Sequence, residues 1–186
     1  MEQKNGPWTI RHTESRYKDE HIELWVDMVN KPNGEPGTYA TVQMKQGVAV
    51  LPMDAVGNVY LTRQFRYAIG QESIEVICGG VDEGEEPLVA AQREAKEELG
   101  IEGKDWIEMG YFHLETSIIK GPVYLYLLRG VSFTDTNPDD TEDIKKLKLP
   151  LEEAIKKVRA NEITHGPSCL LLLRAFLQQH EPAPIQ

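Results

Sequence analysis

Seven acidic side chains are concentrated in the 23 residues from Gly79 to Ile101, and no other part of the sequence constrains the fold as strongly. Only two basic residues accompany them, so this segment carries a net charge of −5, half of the −10 of the whole 186-residue chain. Pro87 near the beginning and Gly100 after the end predict a helix over 87–99. The chain must therefore pack a strongly acidic helix against a core.

The predicted helix has an apolar stripe and an acidic stripe. On a helical wheel the residues expected to face a core are Leu88, Ala91, Ala95 and Leu99. Three glutamates fall together beside that stripe, and they are Glu94, Glu97 and Glu98. Glu94 and Glu98 are one turn apart, and like charges at this spacing destabilise a helix by a few tenths of a kcal/mol per pair. Something must offset this repulsion.

Two interpretations of the acidic stripe are open from the residues alone. One is a solvated charged face, with Arg93 and Lys96 as ion-pair partners. The other is a site for a hard divalent cation, because Mg²⁺ and Mn²⁺ prefer oxygen ligands and offset the repulsion between carboxylates.

The residues that flank the helix favour the cation site. Gly79 is followed after five residues by Glu85, and after seven more by the run Arg93-Glu94-Ala95-Lys96-Glu97-Glu98-Leu99-Gly100-Ile101. This spacing resembles the full signature of the Nudix hydrolases, with every fixed position filled. A domain of this family would extend over about residues 47–179.

The resemblance implies an α/β fold, the Nudix α/β/α sandwich with a mixed sheet. It also implies an enzyme that uses divalent metal ions, Mg²⁺ or Mn²⁺, to hydrolyse a nucleoside diphosphate linked to another group. By position in the signature, Glu94, Glu97 and Glu98 are the expected metal ligands, and Glu97 and Glu98 are also expected to act in catalysis. The backbone carbonyl of Cys78 is a further expected ligand, whereas its thiol is expected to be a small buried group. Glu85 matches a glutamate that supports the site through water or through the signature arginine.

Other segments resemble the ADP-ribose pyrophosphatase and nucleoside diphosphate sugar hydrolase branch of the family. Leu61-Thr62-Arg63-Gln64-Phe65-Arg66-Tyr67 is similar to a strand end of that branch. Arg63 and Arg66 are therefore expected to bind phosphate oxygens, with surface ion pairing as the alternative. Glu75, in the strand that leads into the signature, is a candidate for contact with the substrate or with a metal-bound water.

The resemblance leaves the substrate open. Members of the branch usually carry a Ser-Pro-Gly turn after the signature, whereas this chain has Glu115-Thr116-Ser117 and its nearest proline is Pro122. ADP-ribose, GDP-mannose and a UDP-hexose are therefore equal candidates. The alternatives are another nucleoside diphosphate derivative, such as a dinucleoside polyphosphate or an oxidised nucleotide, and a non-catalytic nucleotide-binding module. The retained signature carboxylates argue against the module.

The catalytic base is expected in the acidic stretch 134–143. In this branch a glutamate after the signature helix activates the water, and the pattern Thr141-Glu142-Asp143-Ile144 points to Glu142. Glu115 is the rival base. An ordinary solvated acidic loop is the alternative to any catalytic role.

The N-terminal residues predict a small antiparallel sheet. Apolar and polar residues alternate over 22–27, which indicates a strand, and the turn-forming residues of 31–37 predict a reversal before a second strand over 38–44. In the branch such strands build a homodimer, and aromatic side chains stack on the base. Trp25 is a candidate for that contact, together with Trp8 and Tyr39. A sheet this small, with exposed apolar residues, also favours a dimer.

The sequence thus predicts three parts: a dimerising N-terminal β-sheet over 1–46, a Nudix domain over 47–180, and a flexible tail over 181–186. In the Nudix domain we expect strands near 48–53, 59–65, 73–78, 106–112 and 123–128, a helix near 151–160 and a helix after Pro167 with apolar residues at 170, 173, 176 and 177. The acidic net charge argues against nucleic-acid and membrane partners. With two cysteines, no transmembrane-length apolar run and no signal-peptide core, we expect a cytoplasmic protein without a disulfide framework.

Overall fold

The computed structural model describes residues 2–134 and 144–180, which form two compact units. The first unit comprises the described residues of Met1–Gln46 and His113–Pro122, and the second those of Gly47–Phe112 and Val123–Gln186. The first unit thus contains residues 113–122 in addition to the N-terminal residues. Within the described ranges, no helix combines the length and the apolar character needed to span a membrane.

The described residues form fourteen strands and three helices. The strands are β1 (Gln3–Asn5), β2 (Trp8–Lys18), β3 (Ile22–Asn30), β4 (Pro36–Met44), β5 (Gly47–Pro52), β6 (Asn58–Arg66), β7 (Gln71–Glu75), β8 (Ile77–Gly80), β9 (Ile101–Glu102), β10 (Asp105–His113), β11 (Ile119–Lys120), β12 (Pro122–Arg129), β13 (Ser132–Phe133) and β14 (Lys145–Pro150). The helices are α1 (Pro87–Leu99), α2 (Leu151–Arg159) and α3 (Gly166–His180).

The first unit is a five-stranded sheet in the order β1-β2-β3-β4-β11. The predicted antiparallel N-terminal strands are confirmed, because β2, β3 and β4 pair antiparallel in sequence. The predicted reversal lies between β3 and β4, where Gly34 takes a left-handed φ of 87° and donates its N–H to the Lys31 carbonyl. β11 adds a strand parallel to β4.

In the second unit, helices pack on both faces of a mixed sheet. β5 pairs parallel with β12 and antiparallel with β8, in the sheet β10-β12-β5-β8. Val48 and Val50 of β5 join the core formed with α1, whereas Ala49 and Leu51 join the core formed with α2 and α3. Alternate residues of one strand therefore face opposite helix layers, and the α/β/α sandwich is confirmed.

Helix α1 has the predicted bounds, but its buried face differs from the predicted stripe. Ala90, Ala91, Ala95 and Leu99 are buried, whereas Leu88 is 38% exposed. The prediction for Leu88 is wrong because side chains of a first helical turn point back beyond the beginning of the helix. Burial therefore begins at Ala90.

The strand predicted over 73–78 is in fact two strands, β7 and β8, separated by Val76. β7 pairs with β6, whereas β8 pairs with β5, so the chain changes neighbours at this residue. The N–H of Val76 donates to the hydroxyl of Ser168 over 2.9 Å. Gly79 and Gly80 belong to β8, so this second strand extends two residues beyond the predicted end at residue 78.

Helix α3 buries a different face from the one given by its predicted apolar positions. Leu171, Leu172 and Ala175 are buried, whereas Leu173 and Leu177 are exposed. Four consecutive leucines surround the axis, so periodicity alone does not select the inner face.

We expect Gly100→Ala to lower the free energy of unfolding by about 1 kcal/mol. Gly100 ends α1 with a left-handed φ of 60°, and its N–H donates to the carbonyls of Ala95 and Lys96. Urea unfolding of the purified variant measures this loss. Gly166→Ala is the matched control, because the space that an added methyl group would occupy at Gly166 is open and the φ of this residue lies outside the left-handed region. A Gly100→Ala loss no larger than that of the control contradicts the prediction.

Candidate active site

The Glu94 side chain of helix α1 occupies the space that a side chain at position 79 of β8 would need. A Cβ atom there would overlap the carboxyl group of Glu94. Because Gly79 has no side chain, the Glu94 carboxylate lies directly over the backbone of the strand. The first glycine of the signature therefore makes room for an acidic side chain of the helix.

Arg93 holds three carboxylates and the end of β8 together. Its Nε and Nη2 atoms donate to the two Glu85 oxygens over 3.1 and 3.0 Å. Its Nη1 atom donates to Glu94 over 2.7 Å and to Glu97 over 3.2 Å. Nη2 also donates to the carbonyl oxygen of Gly80 over 2.9 Å. One guanidinium group therefore offsets the repulsion within the acidic cluster.

The electrostatics of this cluster favour the charged forms. Hydrogen bonds from Arg93 hold the pKa of the Glu85 carboxyl below its usual value. Hydrogen bonds to Glu85 and then to Glu94 raise the pKa of Arg93 in turn. The Asp82 N–H donates to Glu85 over 3.1 Å, which ties the loop before α1 to the same group.

The remaining signature glutamate, Glu98, is buried, with a relative exposure of 6%. Burial raises the pKa of the Cys78 thiol well above its usual value, and the charges of Glu98, Glu75 and Glu94 raise it further. The thiol is therefore neutral, and carboxylates surround the strand at this point.

Arg66 and Glu75 form an ion pair beside these carboxylates. The Nε and Nη2 atoms of Arg66 donate to the two Glu75 oxygens over 3.1 and 2.6 Å. Burial raises the pKa of Glu75, but the hydrogen bonds from Arg66 are the main opposing cause, and the pKa lies below its usual value. Glu75 is only 2% exposed. It contacts Arg66 rather than solvent.

The structure separates Arg63 from Arg66. The two residues are three positions apart on β6, which pairs with β7 in unbroken register, so their side chains leave opposite faces of the strand. Leu61, on the face of Arg63, belongs to the core with α2 and α3, whereas Tyr60, on the face of Arg66, packs against the core with α1. Of the two arginines, Arg66 is the one on the side of the acidic helix.

The other predicted site residues in the described ranges belong to the first unit. Trp8 and Tyr39 pack edge to face with ring centroids 5.4 Å apart, and both line a cavity of about 240 Å³. Trp25 lines a neighbouring groove with Asp27. Glu115 accepts hydrogen bonds from the N–H and hydroxyl of Ser117 over 3.0 and 2.7 Å.

The predicted base Glu142 lies outside the described residues. The hydroxyl of Ser168 and the ring of His165, which contact the β7–β8 break and Glu75, were not predicted as site residues. No local pattern marks them, since these contacts join residues about ninety positions apart along the chain.

The acidic residues have the donor chemistry of a site for a hard divalent cation. In the parts of the chain that the structure describes, no three His, Cys, Asp or Glu side chains are arranged as a metal-binding group. Two of the three α1 glutamates, Glu94 and Glu97, are bonded to Arg93. All three present only carboxylate oxygens, and Gly79 provides the space in which the Glu94 carboxylate lies over the strand. The residues therefore fit Mg²⁺ or Mn²⁺ once these two side chains turn from Arg93 to the ion.

Comparison with known proteins relates this site to one family. The NUDIX domain matches residues 44–168. The chain is 28% identical over 144 residues to the ADP-ribose pyrophosphatase of Bacillus subtilis (strain 168), covering 76% of this chain and 78% of the relative. It is 30% identical over 123 residues to a GDP-mannose pyrophosphatase of Escherichia coli O1:K1 / APEC, covering 62% of this chain and 64% of that relative.

A solved structure supports the fold. The crystal structure of an ADP compounds hydrolase matches 97% of this chain and 100% of its own, with a TM-score of 0.80. The sequence identity is 18%, so this likeness concerns the fold.

We expect Gly79→Ala to lower the free energy of unfolding by about 1–3 kcal/mol, because the added methyl group displaces the Glu94 side chain from its place over β8. Glu94→Ala removes the atoms that the methyl group would meet. The cost of Gly79→Ala should therefore be smaller in the Glu94→Ala background, and a double-mutant cycle of urea unfolding measures the difference. Equal costs in both backgrounds would show that Glu94 is not the reason for the glycine.

Proposed function

Since this chain belongs to the Nudix hydrolase family and to its ADP-ribose pyrophosphatase branch, we propose that it hydrolyses the pyrophosphate bond of a nucleoside diphosphate sugar. The products would be a nucleoside monophosphate and a sugar phosphate. The observation that carries this proposal is the arrangement of α1 on β8, with Glu94 over Gly79 and with Glu98 buried.

Nudix hydrolases generally use divalent metal ions, and we propose Mg²⁺ or Mn²⁺ as the cofactor here. Glu94, Glu97 and Glu98, with the backbone carbonyl of Cys78, would hold it. When bound, it would offset the charge of the pyrophosphate and lower the pKa of a bound water, effects worth several kcal/mol. In that state Arg93 would keep Glu85, and with it the loop before α1, in place.

Arg66 is the proposed phosphate-binding side chain of the second unit. Its side chain is 39% exposed, although the Glu75 side chain that holds it is only 2% exposed. The exposed edge of a guanidinium group can donate to two phosphate oxygens. Glu75 is then a support for Arg66, and its contact with substrate stays a prediction, as does that of Arg63.

The named relatives support the proposed substrate class. One is an ADP-ribose pyrophosphatase and another is a GDP-mannose pyrophosphatase, so ADP-ribose and GDP-mannose are the first substrates to test. We also propose Glu142 as the general base and Trp25 as a residue that stacks on the base. A homodimer through the N-terminal strands and a cytoplasmic location are further predictions, and size-exclusion chromatography with light scattering tests the dimer.

A panel assay tests the function. ADP-ribose, GDP-mannose, UDP-glucose, diadenosine polyphosphates and 8-oxo-dGTP are incubated with the full chain and Mg²⁺ or Mn²⁺, and the products are separated by chromatography. We expect a nucleoside monophosphate and a sugar phosphate from at least one sugar nucleotide, and loss of turnover in excess chelator that added metal restores. Turnover confined to the other substrates, activity that persists in chelator, or no turnover at all contradicts the proposal.

We expect Glu98→Gln to lower kcat by about 100-fold or more, because the buried carboxylate would lose the charge that attracts the cation while its shape is kept. Steady-state kinetics measures the loss, and circular dichroism checks the fold. Glu102→Gln is the matched control, since Glu102 forms an exposed ion pair with Lys96 and should leave kcat unchanged. A folded Glu98→Gln variant with more than about a tenth of the original kcat would exclude the proposed role.

A further inference from the structure

A chain of hydrogen bonds joins the beginning of α3 to the break between β7 and β8. Ser168 is fully buried, and its Oγ atom accepts a hydrogen bond from the Val76 N–H over 2.9 Å. The same Oγ atom lies 2.8 Å from Nδ1 of His165. That ring nitrogen is 3.6 Å from the Glu75 carboxylate.

The hydroxyl of Ser168 and Nδ1 of His165 share one hydrogen bond, in which the tautomer of the ring decides the donor. Oγ accepts the Val76 N–H through one lone pair and keeps its own proton. When the His165 ring is neutral with its proton on Nε2, the Ser168 hydroxyl is the donor to Nδ1. Burial lowers the pKa of His165, which agrees with a neutral ring at pH 7.

A neutral ring leaves both oxygens of Glu75 to Arg66. A charged ring, 3.6 Å from the Glu75 oxygen that accepts the 2.6 Å hydrogen bond from Arg66, would compete for that oxygen. Ser168 also anchors Val76, the next residue after Glu75, at the point where the chain leaves one strand pair for another. Ser168 thus acts on the backbone next to Glu75, and His165 acts on the Glu75 carboxylate.

We propose that Ser168 and His165 are positioning residues for the substrate phosphate, which hold Glu75 and, through it, the Arg66 guanidinium group in one orientation. Neither residue touches substrate in this proposal. The role of Arg66 rests on the proposed function, whereas the hydrogen-bond chain itself involves only described residues of the second unit.

The kinetic test uses four variants of the full chain. Ser168→Ala removes the hydroxyl, and His165→Leu removes the acceptor of its proton. His165→Asn places an amide oxygen near the former Nδ1 position and should restore the contact. Cys169→Ala is the matched control, because it shortens a neighbouring side chain of the same helix whose Sγ atom bonds only the Ile163 carbonyl in the described structure.

We expect Ser168→Ala and His165→Leu to raise KM for the sugar nucleotide about tenfold and to change kcat less than about threefold, as for a lost binding contact. His165→Asn and Cys169→Ala should stay within about twofold of the original KM. In an Arg66→Gln background, Ser168→Ala should add no further change, because its effect passes through Arg66. Fully additive effects, or no KM change in either variant, overturn the proposal.

A second measurement is independent of turnover. The ¹H–¹⁵N NMR signal of the Arg66 Nε–H, assigned by its absence from Arg66→Gln, reports its hydrogen bond to Glu75 in the unliganded protein. We expect this signal to shift or to lose protection from exchange in Ser168→Ala and His165→Leu, and to persist in His165→Asn and Cys169→Ala. An unchanged Arg66 signal in folded Ser168→Ala and His165→Leu overturns the inference whatever the enzyme does. An original chain that cleaves no sugar nucleotide overturns the proposed function, while the NMR signal still decides the positioning role.

Discussion

The carboxylates of α1 and of the preceding loop are concentrated at one place in this protein. The contacts of Arg93 offset the repulsion between them. Without a cation, the carboxylates of α1 and of the preceding loop would repel one another across a few ångströms. Arg93 bonds Glu85, Glu94 and Glu97 and the backbone of β8 at once. When no cation is bound, the repulsion between these carboxylates makes folding of the segment less favourable. The same negative charge would attract a divalent ion.

Arg93 and Arg66 have different roles in the proposed site. Arg93 organises the acidic loop and helix, whereas Arg66 is held by a single buried acid and keeps part of its side chain exposed. A phosphate group approaching an acidic protein needs both positive charge and a fixed direction of hydrogen-bond donors. The buried Glu75 carboxylate accepts two hydrogen bonds from Arg66. These two bonds limit the orientations of the Arg66 side chain.

Local signals in the sequence were sufficient for the bounds of α1, because Pro87 and Gly100 act on their own neighbourhood. The same reasoning failed where the outcome depends on distant residues. The break at Val76 reflects a change of strand partners and a hydroxyl supplied by Ser168. The separation of Arg63 from Arg66 follows from the alternation of side chains along a strand. The predicted strand already implied this alternation, but the two arginines were assigned together from their resemblance to a strand-end motif. For α3, an unbroken run of leucines offers no periodicity from which an inner face could be read.

The strand β11 has a consequence for how the first unit is assembled. It comes from residues that lie between β10 and β12 in the sequence, and it pairs parallel with β4. The five strands of this sheet are therefore interrupted in the sequence by residues 47–112, which belong to the second unit. During synthesis, about 75 residues must follow β4 before β11 is complete and the last strand can be added. Deletion of the first 46 residues would remove β4 and leave β11 without its neighbour in this sheet. The sheet is therefore a discontinuous module rather than an appendage.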